Sequence, residues 1–334
     1  MLSAKPAGLR KHIMHWAVLA IAIGAGTAET SREAQGQDMP DMVLTAPVKL
    51  TSGSLVICGG ADIPAAAMER FVQLAGGQNA RIVVITSTMR PDEVQEEVDE
   101  WLELLDDDKV ASVEVLHTRS HDRADEKSFV QPLQVATGVW FTGGSQAVLA
   151  DTYLNTRTET ELRSLLERGG VIGGISAGAA VMSQVMIRGG DDEAEIGEGF
   201  GFLPGAVIDQ HFLARNRQAR LMGALAKNPD LFGLGIDEGT ALVIEGRKIT
   251  VLGSSKVVVC VPATGERQEI VRLLNDGDED DLVTLGESLL SKLVGEDMEL
   301  SSAEEVESDD AEEDFDSIDL LPDFEEDEPS IGIS

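Results

Sequence analysis

The chain has 334 residues and a formal charge of −34; it is long enough to bury a sizeable core, and its acidity excludes the basic face that a nucleic-acid partner requires. The charge is uneven: from Asp276 onward there are 24 acidic residues and one basic residue, Lys292, so this stretch holds −23 and leaves −11 for everything before it. Cys58 and Cys260 are the only cysteines; two exclude a disulfide framework, neither stands in a metal-binding spacing, and whether they pair is left open.

In chain order, Lys5, Arg10 and Lys11 precede an apolar stretch from Ile13 to Ala25, and Gly26-Thr27-Ala28 supplies small residues at its exit. Charged start, short apolar run and small-residue exit predict a signal peptide over residues 1–28, and hence export to the periplasm or beyond. The run falls short of the roughly 20 residues that span a bilayer, so no membrane association is expected after cleavage. A polar linker follows at 29–49.

Alternating apolar and helical patterns then predict one domain over residues 50–275. Ser54–Cys58 and Arg81–Thr86 read as buried strands, short and β-branched between turn residues. Pro64–Ala75 reads as a helix, with proline in its first turn and Gly76-Gly77 at its end. Pro91–Leu105 reads as another, because Val94, Val98, Trp101, Leu102 and Leu105 share one face. Further strands are expected at Ser112–Leu116, Gly138–Thr142, Val171–Ile175 and Ala206–Asp209. Helices are expected at Ala147–Leu154, Glu159–Arg168, Gly178–Val185 and Arg217–Lys227. This alternation demands crossovers, hence an α/β fold: a mostly parallel sheet with helices on both faces, in three layers. Ala241–Glu245, Lys248–Leu252 and Lys256–Val261, separated by glycine turns, predict a C-terminal antiparallel meander. Residues 276–334 are expected to be a disordered acidic tail, too charged to bury a core.

Gly174-Ile175-Ser176-Ala177-Gly178 follows one predicted strand and precedes an alanine-lined helix. A serine in G-x-S-x-G at such a junction is thrust clear of the sheet, as a nucleophile elbow requires. A serine nucleophile needs a base, and the chain has five histidines. His12 and His15 belong to the targeting segment. His117 and His121 read as a solvated pair in a loop, with Arg119 between them and no metal-site grammar. His211 stands directly after a strand, where the carboxyl edge of a sheet gathers active-site groups. An orienting carboxylate completes such a set; Glu238, in a glycine loop after another strand, is one candidate, and Asp191, Asp192, Glu193 and Glu195 stand beside it as alternatives. The order Ser, His, acid differs from the α/β-hydrolase order of Ser, acid, His.

Four blocks together resemble cyanophycinase, of the serine-peptidase family that also includes aspartyl dipeptidase: FTGGSQ (141–146), GGISAGAAVMS (173–183), GFGFLPGAVIDQHFLARNRQARL (199–221) and GLGIDEGTALVIEG (233–246). The resemblance implies a class I glutamine-amidotransferase-like fold, a Ser176-His211-Glu238 triad, and an oxyanion hole from Ala177 and Gly144. It also implies a pocket including Gln146, Asp209, Gln210, Arg215, Arg217 and Arg220, no cofactor or metal, and a homodimer. The implied substrate is cyanophycin, a polyaspartate bearing arginine on each β-carboxyl, cut to β-Asp-Arg dipeptides. Arg217 and Arg220, three apart, would clamp substrate carboxylates, and Asp209 would receive a substrate arginine. Two positions depart from the family pattern: Ile175 replaces the usual threonine, and Ser145 replaces the usual acid. An aspartyl dipeptidase acting on small peptides, or a non-catalytic binding protein of the same fold, are the rival readings.

Overall fold

Ser54–Cys58 forms strand β1, which alternates Leu55 and Ile57 toward one core with Val56 and Cys58 toward another. A strand with period-two side chains and no polar face must be covered on both sides, and here it is. The computed structural model describes residues 52–86, 94, 99, 110–263 and 268–282. β2 (Arg81–Ile85), β3 (Ser112–Leu116), β4 (Gly138–Phe141) and β5 (Val171–Ile175) join β1 in parallel, in the order β1-β5-β4-β2-β3. The remaining strands are β6 (Val185–Gly189), β7 (Glu195–Glu198), β8 (Ala206–Gln210), β9 (Phe232–Ile236), β10 (Thr240–Glu245), β11 (Lys248–Gly253), β12 (Val257–Val261), β13 (Ile270–Leu274) and β14 (Glu279–Asp281). β10, β11 and β14 extend the main sheet beyond β1 with antiparallel pairings, while β13-β12-β9-β8 form a second sheet and β6-β7 a hairpin.

Helix α1 (Ala65–Leu74) covers the Val56 and Cys58 face with Ala67, Met68 and Phe71. Phe71 meets Trp140 edge-on, with ring centroids 4.9 Å apart. Truncating that phenylalanine to alanine is expected to cost about 3–5 kcal/mol. Short helices α2 (His121–Ala124) and α3 (Gln131–Val135), then α4 (Gln146–Tyr153) and α5 (Arg157–Glu167), follow, and Leu133, Leu149, Tyr153, Leu162, Leu165 and Leu166 join the opposite core. α6 (Ala177–Ala180) lies after β5. α7 (Gln218–Ala226) packs Leu221 and Leu225 over Val207, Val258 and Cys260 of the second sheet. This is the expected α/β class, with helices on both faces of a mostly parallel sheet. Among the described residues no helix is long and apolar enough to cross a membrane.

Several local expectations are revised. The meander divides: β10 and β11 pair in the main sheet, whereas β12 pairs with β9 and β13. The all-buried strand Val257–Val261 needs cover on both faces, and an inner position in the second sheet provides it. The helix expected over 178–185 ends at Ala180, because the Ser183 hydroxyl accepts from the Ile208 amide (2.9 Å) and ties this turn to β8. The 117–121 stretch is not all loop; Ser120 caps α2 through its hydroxyl. The ordered chain passes residue 275: β14 pairs with β11, Asp281 with Arg247 (2.9 Å) and Glu279 with Lys248 (2.6 Å), and Leu282 is buried. Those ion pairs are exposed and worth about 0–1 kcal/mol each, so the strand ladder and Leu282 do most of the anchoring. Cys58 and Cys260 are both free, buried in separate cores. The targeting segment, the linker, most of the Pro91–Leu105 helix and the tail beyond 282 lie outside the described residues.

Candidate active site

The chain leaves β5 at Ser176 with φ 54° and ψ −108°, a sparsely populated positive-φ conformation that costs about 1–3 kcal/mol in a non-glycine residue. The surroundings over-determine it. The Ser176 amide donates to Cys58 O (3.0 Å), and its carbonyl accepts from Ala179 and Ala180 (3.0 Å each). The paired glycines make the turn sterically feasible: a Cβ on Gly174 would sit 2.6 Å from the Gly178 backbone, and one on Gly178 2.4 Å from Phe141 O. α6 has only four residues, so its contribution at the serine is the unpaired amides of its first turn rather than a long macrodipole.

His211 directly follows β8, also with positive φ (50°), and its amide donates to Gly59 O (2.8 Å). Its ring joins the other two groups. Nε2 lies 2.9 Å from Ser176 Oγ, and Nδ1 lies 2.5 Å from Glu238 Oε1. Glu238, from the loop after β9, is an acceptor, so the proton belongs on Nδ1 and the Nε2 lone pair faces the serine. Burial is the main cause that depresses the His211 pKa below 6.5; Glu238 pulls the other way and Arg215 and Arg217 add to the depression. The imidazole is therefore neutral at pH 7, the form that can accept a proton. The Asp191–Glu195 alternatives are not at the ring; Glu193 pairs with Lys227 (3.0 Å).

A family profile described as Peptidase family S51 matches residues 50–252. The chain belongs to peptidase family S51. It is therefore a peptidase, a hydrolase. It is 32% identical over 218 residues to a cyanophycinase of Geminocystis herdmanii, covering 62% of this chain and 79% of that one. It is 35% identical over 201 residues to a cyanophycinase of Synechococcus elongatus, covering 58% of this chain and 62% of that relative's length. The crystal structure of a peptidase from an acI-B1 Actinobacterium shares the fold, with a TM-score of 0.56 and 24% identity, over 69% of this chain and 96% of that one.

Within this S51 chain the expected pocket residues separate into two groups. Asp209 and Arg220 are 1% and 3% exposed and bind each other, Arg220 Nε reaching Asp209 Oδ2 at 3.1 Å. A second Arg220 nitrogen donates to Asp209 Oδ1 and another to Gly190 O. Burial pushes the Asp209 carboxyl upward against the pull of the guanidinium groups. Arg217 donates to Gln210 O (2.6 Å) and to Gln210 Oε1, and burial first of all lowers its pKa to about 10. Arg217 and Arg220, the expected clamp, and Asp209, the expected receiver of substrate arginine, are thus joined to one another in an interior network. All-buried β8 carries Asp209 inward, and a buried carboxylate must be paired. Arg215, by contrast, is exposed four residues after His211 and makes no ion pair among the described residues. Gln146 donates to Ile187 O (3.0 Å), Ser145 caps α4, and Gly144 is exposed in the turn facing the serine, where a Cβ on neighbouring Gly143 would stand 3.8 Å from Ser176 Cβ.

One element escaped the sequence reading. Gly59-Gly60, just after β1, forms the floor under the imidazole: a Cβ on Gly60 would lie 2.2 Å from His211 Cε1. The signal was a glycine doublet closing a strand at the carboxyl edge. Among the described residues no three His, Cys, Asp or Glu side chains converge to hold a metal. His117 is engaged with Thr86 (3.2 Å) and His121 with Leu154 O (3.0 Å).

Proposed function

We propose that this chain is an exported serine peptidase that cleaves cyanophycin, or a closely related aspartyl polymer, into β-Asp-Arg-type dipeptides through Ser176, His211 and Glu238. The observation that carries the reading is the continuous hydrogen-bond chain from Ser176 Oγ through the imidazole to Glu238 Oε1. Ser176 Oγ attacks the scissile carbonyl carbon while His211 Nε2 takes its proton; the imidazolium is stabilised by Glu238 through Nδ1–H and then returns the proton to the leaving amine. Water repeats the sequence on the acyl-enzyme and frees the serine. The oxyanion is met by the Ala177 amide and by that of Gly144. Arg215, exposed and without an ion pair among the described residues, offers a guanidinium fork to a substrate carboxylate. The substrate class rests on the two cyanophycinase relatives, and export rests on residues 1–28.

An acidic enzyme can approach this polymer because each Asp-Arg unit is zwitterionic and nearly neutral. The test is digestion of insoluble cyanophycin by the purified protein beside Ser176→Ala, with products identified by mass spectrometry. β-Asp-Arg from the wild type alone is the expected result. Equal inertness of both would remove the polymer assignment, and cleavage of small α-Asp peptides instead would move the substrate to aspartyl dipeptides.

A further inference from the structure

Glu238 is preceded by a second acid, Asp237, which is 8% exposed. Its Oδ1 accepts from the amides of Leu213 (3.0 Å) and Ala214 (2.9 Å), and Oδ2 accepts from Ser255 Oγ (2.6 Å). Ser255 is in turn fixed by its amide to Thr240 Oγ1 (2.9 Å), and the Asp237 amide donates to Lys256 O (3.2 Å). The segment so held is a short hydrogen-bonded turn that starts at His211: Arg215 N donates to His211 O (3.0 Å), Asn216 N to Leu213 O (3.0 Å) and Arg217 N to Phe212 O (2.9 Å). A turn this short has unpaired leading amides and does not persist alone. Asp237 supplies the acceptors from across the site, as an N-cap residue would from within the chain.

We infer that Asp237 is a positioning residue: its carboxylate, braced by Ser255, pins the turn that carries both His211 and Arg215, and so holds the imidazole between Ser176 and Glu238. The adjacent acids then act on one histidine from two directions, Glu238 on the ring and Asp237 on the backbone. The need for such a brace is visible in the φ of 50° at His211, which a looser turn would relax. Burial would push the Asp237 carboxyl up, but hydrogen bonds from Ser255 and from the Ala214, Glu238 and Leu213 amides outweigh it and hold the group ionised. The inference rests on the serine–histidine–glutamate reading of the site but not on any substrate.

Two readouts test it on the full chain: the labelling rate of Ser176 by a fluorophosphonate, and the downfield proton signal of the His211–Glu238 hydrogen bond. Asp237→Ala is expected to label about 100-fold more slowly, the cost of misplacing a reacting group by about an ångström, and to lose the downfield signal. Asp237→Asn keeps an oxygen for both amides and is expected to restore both readouts. Ser255→Ala is expected to slow labelling about fivefold, as one lost hydrogen bond would. A purely structural role would lower the melting temperature of Asp237→Ala while leaving both readouts of the folded protein unchanged, and that result overturns the inference. So does an Asp237→Asn protein as slow as Asp237→Ala. If Asp237→Ala does not fold, wild-type labelling with an intact signal in Ser255→Ala overturns it. A wild type that resists the fluorophosphonate defeats the serine reading instead, and the proton signal across the variants then decides the positioning role alone.

Discussion

Gly60→Ala tests the floor of the site directly. The new Cβ would stand 2.2 Å from His211 Cε1 and 2.5 Å from Nε2, where ordinary contacts begin near 3.4 Å. Relief at Cε1 therefore needs a displacement of about 1.2 Å, the difference between 3.4 and 2.2 Å. The backbone cannot readily supply it. Gly60 O accepts from Gly239 (3.0 Å), while Gly59 donates to Thr240 O (2.9 Å) and accepts from the His211 amide (2.8 Å). The φ of +131° at Gly60 is itself hostile to an L side chain. The imidazole must give way, stretching its 2.9 Å link to Ser176 Oγ well past hydrogen-bond length. A misplacement of this size costs about 100-fold in rate. Fluorophosphonate labelling, with a melting curve to establish folding, reads the effect. A folded Gly60→Ala protein that labels within about twofold of wild type would refute the steric reasoning, since that is far less than such a displacement implies.

Arg215→Gln should act on both binding and pH. His211 is held below 6.5 by burial first and by Arg215 among the lesser causes, so activity should fall only as pH drops below that value; removing the cation raises the histidine pKa and moves the acid limb to higher pH, while KM rises. A pH profile of kcat/KM that keeps its acid limb would contradict this. Arg220→Met strands the buried Asp209 carboxylate and should destabilise the fold by about 3–5 kcal/mol, a drop of roughly 10 °C in Tm, measured calorimetrically; Asp209→Leu in the same chain should recover much of the loss. Cys58 has its pKa raised far above the usual thiol range by burial, and Cys260 is pushed up to about 12, chiefly by burial. Neither should react with a thiol reagent at pH 8 until the protein unfolds, and prompt labelling of the native protein would place either thiol nearer solvent than its core.

What the sequence determined by itself is local. Strand and helix periods located β1 to β5, α1, α4, α5 and α7 because burial on two faces or one stripe leaves its own spacing in the chain. The elbow around Ser176 was legible for the same reason: a turn that sharp tolerates almost no other residues at 174 and 178. Tertiary structure decided everything that depends on which partner a group finds. Lys256–Val261 reads as the third strand of a meander, yet its apolar sides find two-sided cover only in the second sheet. Arg215, Arg217 and Arg220 look alike in a row of arginines, but the strand that buries Asp209 draws two of them inward and leaves Arg215 exposed. Asp237 and Glu238 are neighbours of the same charge, and only the fold sends one to the turn that follows the histidine and the other to its ring. Charge and periodicity are properties of a chain, whereas pairing belongs to a fold.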